Sequence, residues 1–260
     1  MATEGPRPGF LGNITQDQEA KLQKLWNILL KASDATSEKE ATNGSAAEPT
    51  SPAQSQPARR GSLLSRTQSN VSDQTVPTPS NPYQKKIMAS LTELGIAAPE
   101  SLMIQKALSE ITPKELRTGV LDTLKHDHPD AMLLRFLRAR KWDVCKAFAM
   151  MMEAIVWRVK EMHVDDEVMA NGELYALKQS KNNGDVAKQK EGKDFLAQMR
   201  MGKSFIHGHD NIGRPIVVIR VQLHKPGAQS EETLERYIVH VIESVRLTLR
   251  GSVETAVCAP

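Results

Sequence analysis

Aromatic side chains are scarce in this chain: three Trp, three Tyr and five Phe among 260 residues. Proteins that hold nucleic acid commonly stack bases on such rings and surround them with a strong excess of Lys and Arg. Here 34 Lys and Arg face 31 Asp and Glu, a formal net charge of +3, so any basic site must be local and nucleic acid is not an expected partner. Cysteine is almost missing. Cys145 and Cys258 stand far apart in different predicted elements and supply neither a disulfide framework nor a metal-ligand spacing; a reducing compartment fits. No apolar run is long enough to cross a bilayer. The start, Met1-Ala2-Thr3-Glu4-Gly5, has neither the basic opening nor the apolar core of a secretory signal, and Ala2 stands where N-myristoylation needs glycine. These absences predict a cytoplasmic protein that touches membranes without spanning them, and leave the sequons at Asn13, Asn43 and Asn70 without glycosylation meaning.

What is present is enough apolar material, 40% of residues, for one modest core once a low-complexity stretch is set aside. Thr15, with Gln18 three positions on, reads as a capping box opening a helix to about residue 31, its stripe Leu22, Leu25, Trp26 and Leu29. From Ala32 to Pro82 Ser, Thr, Ala, Pro, Gln and Asn dominate, and the large aliphatics are Leu63, Leu64, Val71 and Val76. Such a segment buries too little apolar surface to offset its ordering entropy and is expected to be a disordered linker. Arg59-Arg60-Gly61-Ser62, Ser51-Pro52 and Thr78-Pro79 within it suit basophilic and proline-directed kinases, although an unmodified linker is the commoner reading of any single such site.

Beyond the linker, helical periodicity predicts segments at 83–94, 100–110 and 113–125, the last secured by Thr112-Pro113-Lys114-Glu115. Pro129 then opens a helix whose Leu133, Phe136 and Leu137 share a face, and Asp143 caps another with the stripe Val144, Phe148, Met151, Ile155 and Val159. Weaker helices are expected at 164–178 and 187–200, and strands at 203–207 and 214–221, joined by a turn rich in Asp210, Asn211 and Gly213. A long apolar helix from about Glu231 to Leu249 carries Leu234, Tyr237, Ile238, Val241, Val245 and Leu249 on one side and expects to be covered. A further strand begins near Val253. The organisation read from the sequence is an N-terminal amphipathic segment at 1–31, a linker at 32–82, a helical domain at 83–162 and an α/β domain at 163–260.

Most polar clusters have an ordinary reading. Gly202-Lys203-Ser204 is not a phosphate-binding loop, because the glycine such a loop needs five residues earlier is Ala197. His207, His209 and Asp210 sit in a polar turn, where solvation is far commoner than metal binding. Met150, Met151 and Met152 are better explained by helix packing than by a ligand pocket. No nucleophile with a base and orienting group can be placed, so no enzyme activity, cofactor or metal is expected. The run Arg135, Arg138, Arg140, Lys141 could be a solvated helix face, a nucleic-acid patch or an anion site, and residue type alone favours the first.

The stretch Leu133-Leu134-Arg135-Phe136-Leu137-Arg138-Ala139-Arg140-Lys141-Trp142-Asp143, the following helix closing in Trp157-Arg158, and the later Gly213-Arg214-Pro215 before an apolar strand together resemble the CRAL-TRIO lipid-transfer family, in its fungal phosphatidylinositol transfer form. The resemblance covers roughly 105–255 and is strongest in the first motif. It implies an α/β fold: an all-helical CRAL-TRIO N-terminal lobe followed by an α/β CRAL-TRIO lipid-binding lobe whose sheet floors an apolar cavity for one phospholipid. It also implies that Arg140 reaches the headgroup phosphate, to which a guanidinium offers forked donors and a permanent charge. In members that bind phosphatidylcholine, tyrosines stand at the positions of Ile206 and Val217, and a serine and a threonine at those of Ala256 and Cys258. These four become candidate pocket residues, and their chemistry favours phosphatidylinositol as cargo. The expected partners are this phospholipid, a transient membrane surface and kinases acting on the linker.

The family's further strands and gating helix would follow Thr255. The lipid-binding lobe is therefore expected to be incomplete, the chain a C-terminally truncated form that leaves an open sheet edge and uncovered helix surface and does not hold a lipid stably alone. An interaction or regulatory module without lipid cargo is the alternative reading.

Overall fold

Thr15 opens the first helix as its spacing predicts. The Thr15 hydroxyl accepts from the Gln18 N–H at 3.3 Å and the Gln18 side chain accepts from the Thr15 N–H at 3.0 Å, satisfying two orphan donors at once. The computed structural model describes residues 7–34, 82–250 and 253–259. The linker's kinase sites fall within 35–81, outside the described residues.

The described residues form two compact units that meet in sequence between Glu161 and Met162. The first is helical: α1 (Gln16–Ala32), α2 (Pro82–Thr92), α3 (Ala98–Glu110), α4 (Pro113–Leu124), α5 (Pro129–Ala139) and α6 (Val144–Val156), the last running into a π-helical turn, Trp157–Glu161. Their stripes meet in one core where Leu25, Leu91, Ile104, Leu116, Leu133, Leu137, Phe148 and Met152 are fully or almost fully buried. The α6 stripe lies as its period requires, Phe148, Met151 and Ile155 inside and Val144 and Val159 packed at the margin. Burying each such side chain contributes roughly 1.5–3 kcal/mol. Met151 and Met152 are buried in this core and Met150 is half-buried. Helix α1 belongs to the same core through Leu22, Leu25, Ile28, Leu29 and Ala32. Trp26 is half-buried beside it, and its indole N–H donates to Asp130 Oδ1 at 2.7 Å.

Tyr83 ties α2 to the end of α1. Its buried hydroxyl donates to the Ala32 carbonyl at 2.6 Å, and burial pushes its phenol far above the ordinary value. Tyr83→Phe keeps the ring but strips a buried carbonyl of its donor; the expected result is a loss of about 1–2 kcal/mol in urea unfolding.

The second unit opens with a π-helical segment, Val164–Met169, and continues through α7 (Ala170–Ser180), α8 (Val186–Arg200), β1 (Ser204–His209), β2 (Pro215–Ile219), a 3-10 turn (Val221–Leu223), α9 (Glu231–Arg246) and β3 (Val257–Ala259). The sheet order is β1-β2-β3, with β1 and β2 an antiparallel hairpin and β3 parallel to β2. Because β2 reaches its parallel neighbour through α9, this is a strand-helix-strand crossover, the α/β arrangement the change of period predicts.

Several boundaries differ from the sequence reading. The helix expected at 164–178 starts as a π-helix and is broken at Gly172, whose φ of 49° and ψ of −143° are not helical. Strand β2 stops at Ile219, short of Val221, because the chain turns through Val221–Leu223. The strand expected from Val253 starts at Val257. The helix expected to reach Leu249 ends at Arg246; along α9 and the turn after it Tyr237, Val239, Val245 and Leu249 are buried, whereas Ile238, Ile242 and Leu247 remain 36%, 54% and 49% exposed, so this stretch is covered on one side only.

His240 of α9 lies inside this unit, edge-on to Phe195 with ring centroids 5.6 Å apart. Its Nδ1 is buried and has no hydrogen-bond partner among the described residues. Burial pushes the imidazole below its ordinary value, against the upward pull of the Glu173 carboxylate and a hydrogen bond with the Val168 backbone. The unfolded imidazole takes up a proton at about pH 6.5 while the folded one resists, so folding is penalised increasingly as the pH falls below that value. Urea midpoints should decline from pH 7 toward pH 5, and His240→Phe should flatten that decline.

Candidate functional site

The turn between α5 and α6 brings the basic run together. His128 Nδ1 accepts from the Asp130 N–H at 3.2 Å at the start of α5, with Pro129 at the first helical position. At the other end the Trp142 N–H reaches back to the Leu137 carbonyl at 2.7 Å, and Asp143 Oδ1 accepts from the Lys146 N–H at 3.0 Å to begin α6. Between these closures Lys141 and Trp142 hold φ values of 53° and 65°. Two consecutive non-glycine residues in the left-handed region cost about 1 kcal/mol or more each, a strain that commonly marks working turns. Replacing the exposed Lys141 with glycine should raise stability by about 0.5–1 kcal/mol in urea unfolding.

The arginines of the run have separate tasks. Arg135 donates to Asp127 Oδ2 at 2.9 Å in a mostly buried ion pair. Arg138 donates to the Gly9 carbonyl at 2.9 Å and lies 3.8 Å over the Phe10 ring, while Trp142 packs so close to Gly9 that an added Cβ there would meet its ring at 3.1 Å. Two of the three guanidiniums thus hold the fold together. Arg140, at the C-cap of α5, is exposed, and among the described residues its side chain has no hydrogen bond or ion pair. Lys141 beside it is also exposed. The arrangement presents one free guanidinium on a rigid turn, able to donate two parallel hydrogen bonds to a phosphate or carboxylate.

In the second unit three of the four candidate pocket residues meet in a single cross-strand row. Ile206 pairs with Val217, and Val217 pairs with Cys258, so the three side chains stand on one face of the sheet. Val217 is buried, Ile206 half-buried and Cys258 exposed. Ala256 is exposed just before β3. None of the four lines the cleft bounded by Glu167, Tyr175, Phe195 and Arg236. There Arg236 lies 3.1 Å from Glu191 and 3.8 Å from Glu167, bracing α8 and the π-helical segment against α9.

The hairpin turn is closed by its own residues. Asp210 accepts from the backbone N–H groups of Ile212 and Arg214 and from Arg214 Nε, at 2.7–3.0 Å. Burial alone would raise this carboxyl; the hydrogen bonds from Arg214 and Ile212 outweigh it and hold it below the usual range. Arg214 is thereby a bracing residue. His207 and His209 are exposed, and among the described residues no three His, Cys, Asp or Glu side chains cluster as metal ligands. After Gly202-Lys203-Ser204 comes a strand, where a phosphate-binding loop would need a helix. Cys145, buried, and Cys258, exposed, are both free. No described helix is long and apolar enough to cross a membrane.

The sequence reading missed what occupies Arg135 and Arg138. Gly9 precedes Arg138 by 129 residues, and nothing local announces that the N-terminal segment folds back onto this turn.

Comparison with known proteins follows the same division. Residues 104–153, spanning the α5–α6 turn, match the CRAL/TRIO N-terminal domain, and residues 199–259, spanning the whole sheet, match the CRAL/TRIO domain. The chain thus carries the two domains of the CRAL-TRIO family, one in each compact unit. Among its relatives, a CRAL-TRIO domain-containing protein of Schizosaccharomyces pombe is 42% identical over 153 residues, 59% of this chain and 31% of that protein. A phosphatidylinositol transfer protein of Eremothecium gossypii is 38% identical over 133 residues, 51% of this chain and 28% of the relative. Patellin-3 of Arabidopsis thaliana is 31% identical over 105 residues, 40% and 16% of the respective lengths. The chain therefore spans about a third or less of each of these proteins.

Proposed function

We propose that this protein is a non-catalytic phospholipid-binding and transfer protein, with phosphatidylinositol as its cargo and Arg140 as the contact to the headgroup phosphate. The observation that carries the reading is the division of labour within the basic run: Arg135 and Arg138 are engaged in the fold, and Arg140 alone of the three is exposed and unpaired among the described residues. A phosphate diester offers the paired oxygen acceptors that a guanidinium matches. The absence of tyrosine, serine or threonine at Ile206, Val217, Ala256 and Cys258 favours phosphatidylinositol over phosphatidylcholine. The relative in Eremothecium gossypii that bears the name phosphatidylinositol transfer protein supports the same cargo. Contact with membranes is transient and peripheral, in the cytoplasm.

Vesicle co-sedimentation tests this. Binding should be stronger to phosphatidylcholine vesicles containing phosphatidylinositol than to phosphatidylcholine alone, and Arg140→Ala should abolish the difference. Equal binding to the two vesicle types would remove the headgroup role.

A further inference from the structure

Among the described residues of the second unit two charged side chains are buried, Lys203 and Glu243. They are satisfied differently. Glu243 is answered by Arg246, whose guanidinium donates to both carboxylate oxygens at 3.0 and 2.9 Å. Lys203, 6% exposed, meets only neutral groups: its ammonium donates to Gln198 Oε1 at 2.8 Å and lies 3.0 Å from His224 Nδ1. No carboxylate of the described residues is in ion-pair contact with it. A buried cation without a counter-charge is costly, and burial pushes the Lys203 ammonium below its ordinary value.

The surroundings add positive charge. The Arg220 N–H donates to the Lys203 carbonyl at 2.8 Å. Its guanidinium flanks the same turn, with Nη1 3.7 Å from where a Cβ on Gly202 would stand. Arg220 and His224 are both exposed, and Arg220 has no ion pair among the described residues.

We propose that Lys203, His224 and Arg220 form an anion site that takes a phosphate group, either free phosphate or the phosphate of a lipid headgroup. All three residues belong to the second unit, and Arg140 to the first. His224 is its outer wall. A phosphate oxygen that replaces His224 Nδ1 as the acceptor gives the ammonium its counter-charge and leaves the bond to Gln198 in place. The displaced imidazole and the Arg220 guanidinium supply further donors to the remaining oxygens. A tetrahedral anion with several acceptor oxygens suits three donors of different direction better than a planar carboxylate does.

The test titrates the full chain with inorganic phosphate, followed by NMR of the His224 ring and the Arg220 side chain, and in a second arm with phosphatidylcholine vesicles containing phosphatidic acid, followed by co-sedimentation. The expected result is saturable binding in at least one arm, retained in Arg140→Ala, weakened about tenfold in Arg220→Ala and lost in Lys203→Met. Response to inorganic phosphate alone assigns a site for the free anion, response to vesicles alone assigns the lipid phosphate, and response in both arms assigns both. Because Lys203→Met alters a buried position, exposed Arg220 and His224 carry the test if that variant does not fold, and His224→Phe should also weaken binding. Silence in both arms overturns the proposal. So does binding that Arg220→Ala and His224→Phe leave intact, or binding that Arg140→Ala removes, which would return the anion to the α5–α6 turn and leave the reading of Arg140 standing.

Discussion

Arg140→Ala weakens binding to phosphatidylinositol-containing vesicles by about tenfold or more while stability stays within about 0.5 kcal/mol of the parent; this is the expected outcome of removing an exposed, unpaired guanidinium from a turn that other residues hold. The α5–α6 turn is fixed by the Trp142–Leu137 backbone bond, the Asp143 cap and the Arg138–Gly9 contact, and none of these uses the Arg140 side chain. Arg138→Ala should behave in the opposite way. It removes the cation over Phe10 and the donor to Gly9, so the unfolding midpoint should fall and the lipid preference should change less. Paired vesicle and urea measurements on the two variants separate the roles. A shared loss of stability would show that the whole run is structural.

Gly192→Ala should lower the stability of the second unit by about 3 kcal/mol. A Cβ on Gly192 would stand 2.5 Å from the Ala176 carbonyl oxygen and 2.6 Å from the Ser180 amide nitrogen, distances that only movement of α7 away from α8 relieves. The contact is with backbone, so no side-chain rotation can absorb it. The same displacement would loosen Phe195, whose ring lies edge-on to Tyr237 at 6.2 Å. Tyr237 in turn accepts from the Ser204 N–H at 2.9 Å, which places the clash two contacts from the start of β1. Urea unfolding followed by NMR of second-unit signals such as the Tyr237 ring measures the loss; an unchanged midpoint would mean that the two helices do not cross at Gly192.

Local chemistry made much of this fold legible in the sequence. Thr15 with Gln18, and Thr112 with Pro113 and Glu115, are complete helix-start signals because both partners lie within four residues, and both capping boxes form. The Glu115 carboxylate accepts from the Thr112 N–H at 3.0 Å and also receives Lys160 at 2.6 Å. The 3.6-residue period of Phe148, Met151 and Ile155 likewise predicts its own burial. The failures come where distant residues decide. Lys141 and Trp142 sit at positive φ with no glycine to announce it, and the bond from Trp142 to Leu137 is visible only in three dimensions. On α9, periodicity assigns Ile238 to the covered side, yet it is 36% exposed while Val239, outside that set, is buried, because which stripe is covered depends on what packs there. For the candidate site, the row Ile206, Val217, Cys258 follows from strand register. The occupation of Arg138 by Gly9 and Phe10, and the lack of a carboxylate partner for Lys203 among the described residues, could not be read from spacing at all.

One free arginine, Arg140, is proposed to recognise the anionic headgroup of a phospholipid. Quantitative co-sedimentation with phosphatidylcholine vesicles, with and without phosphatidylinositol, tests it most directly when the parent and Arg140→Ala are run side by side. A preference for phosphatidylinositol in the parent that vanishes in the variant is the predicted result. The same binding curve for both proteins on both vesicle types would contradict it.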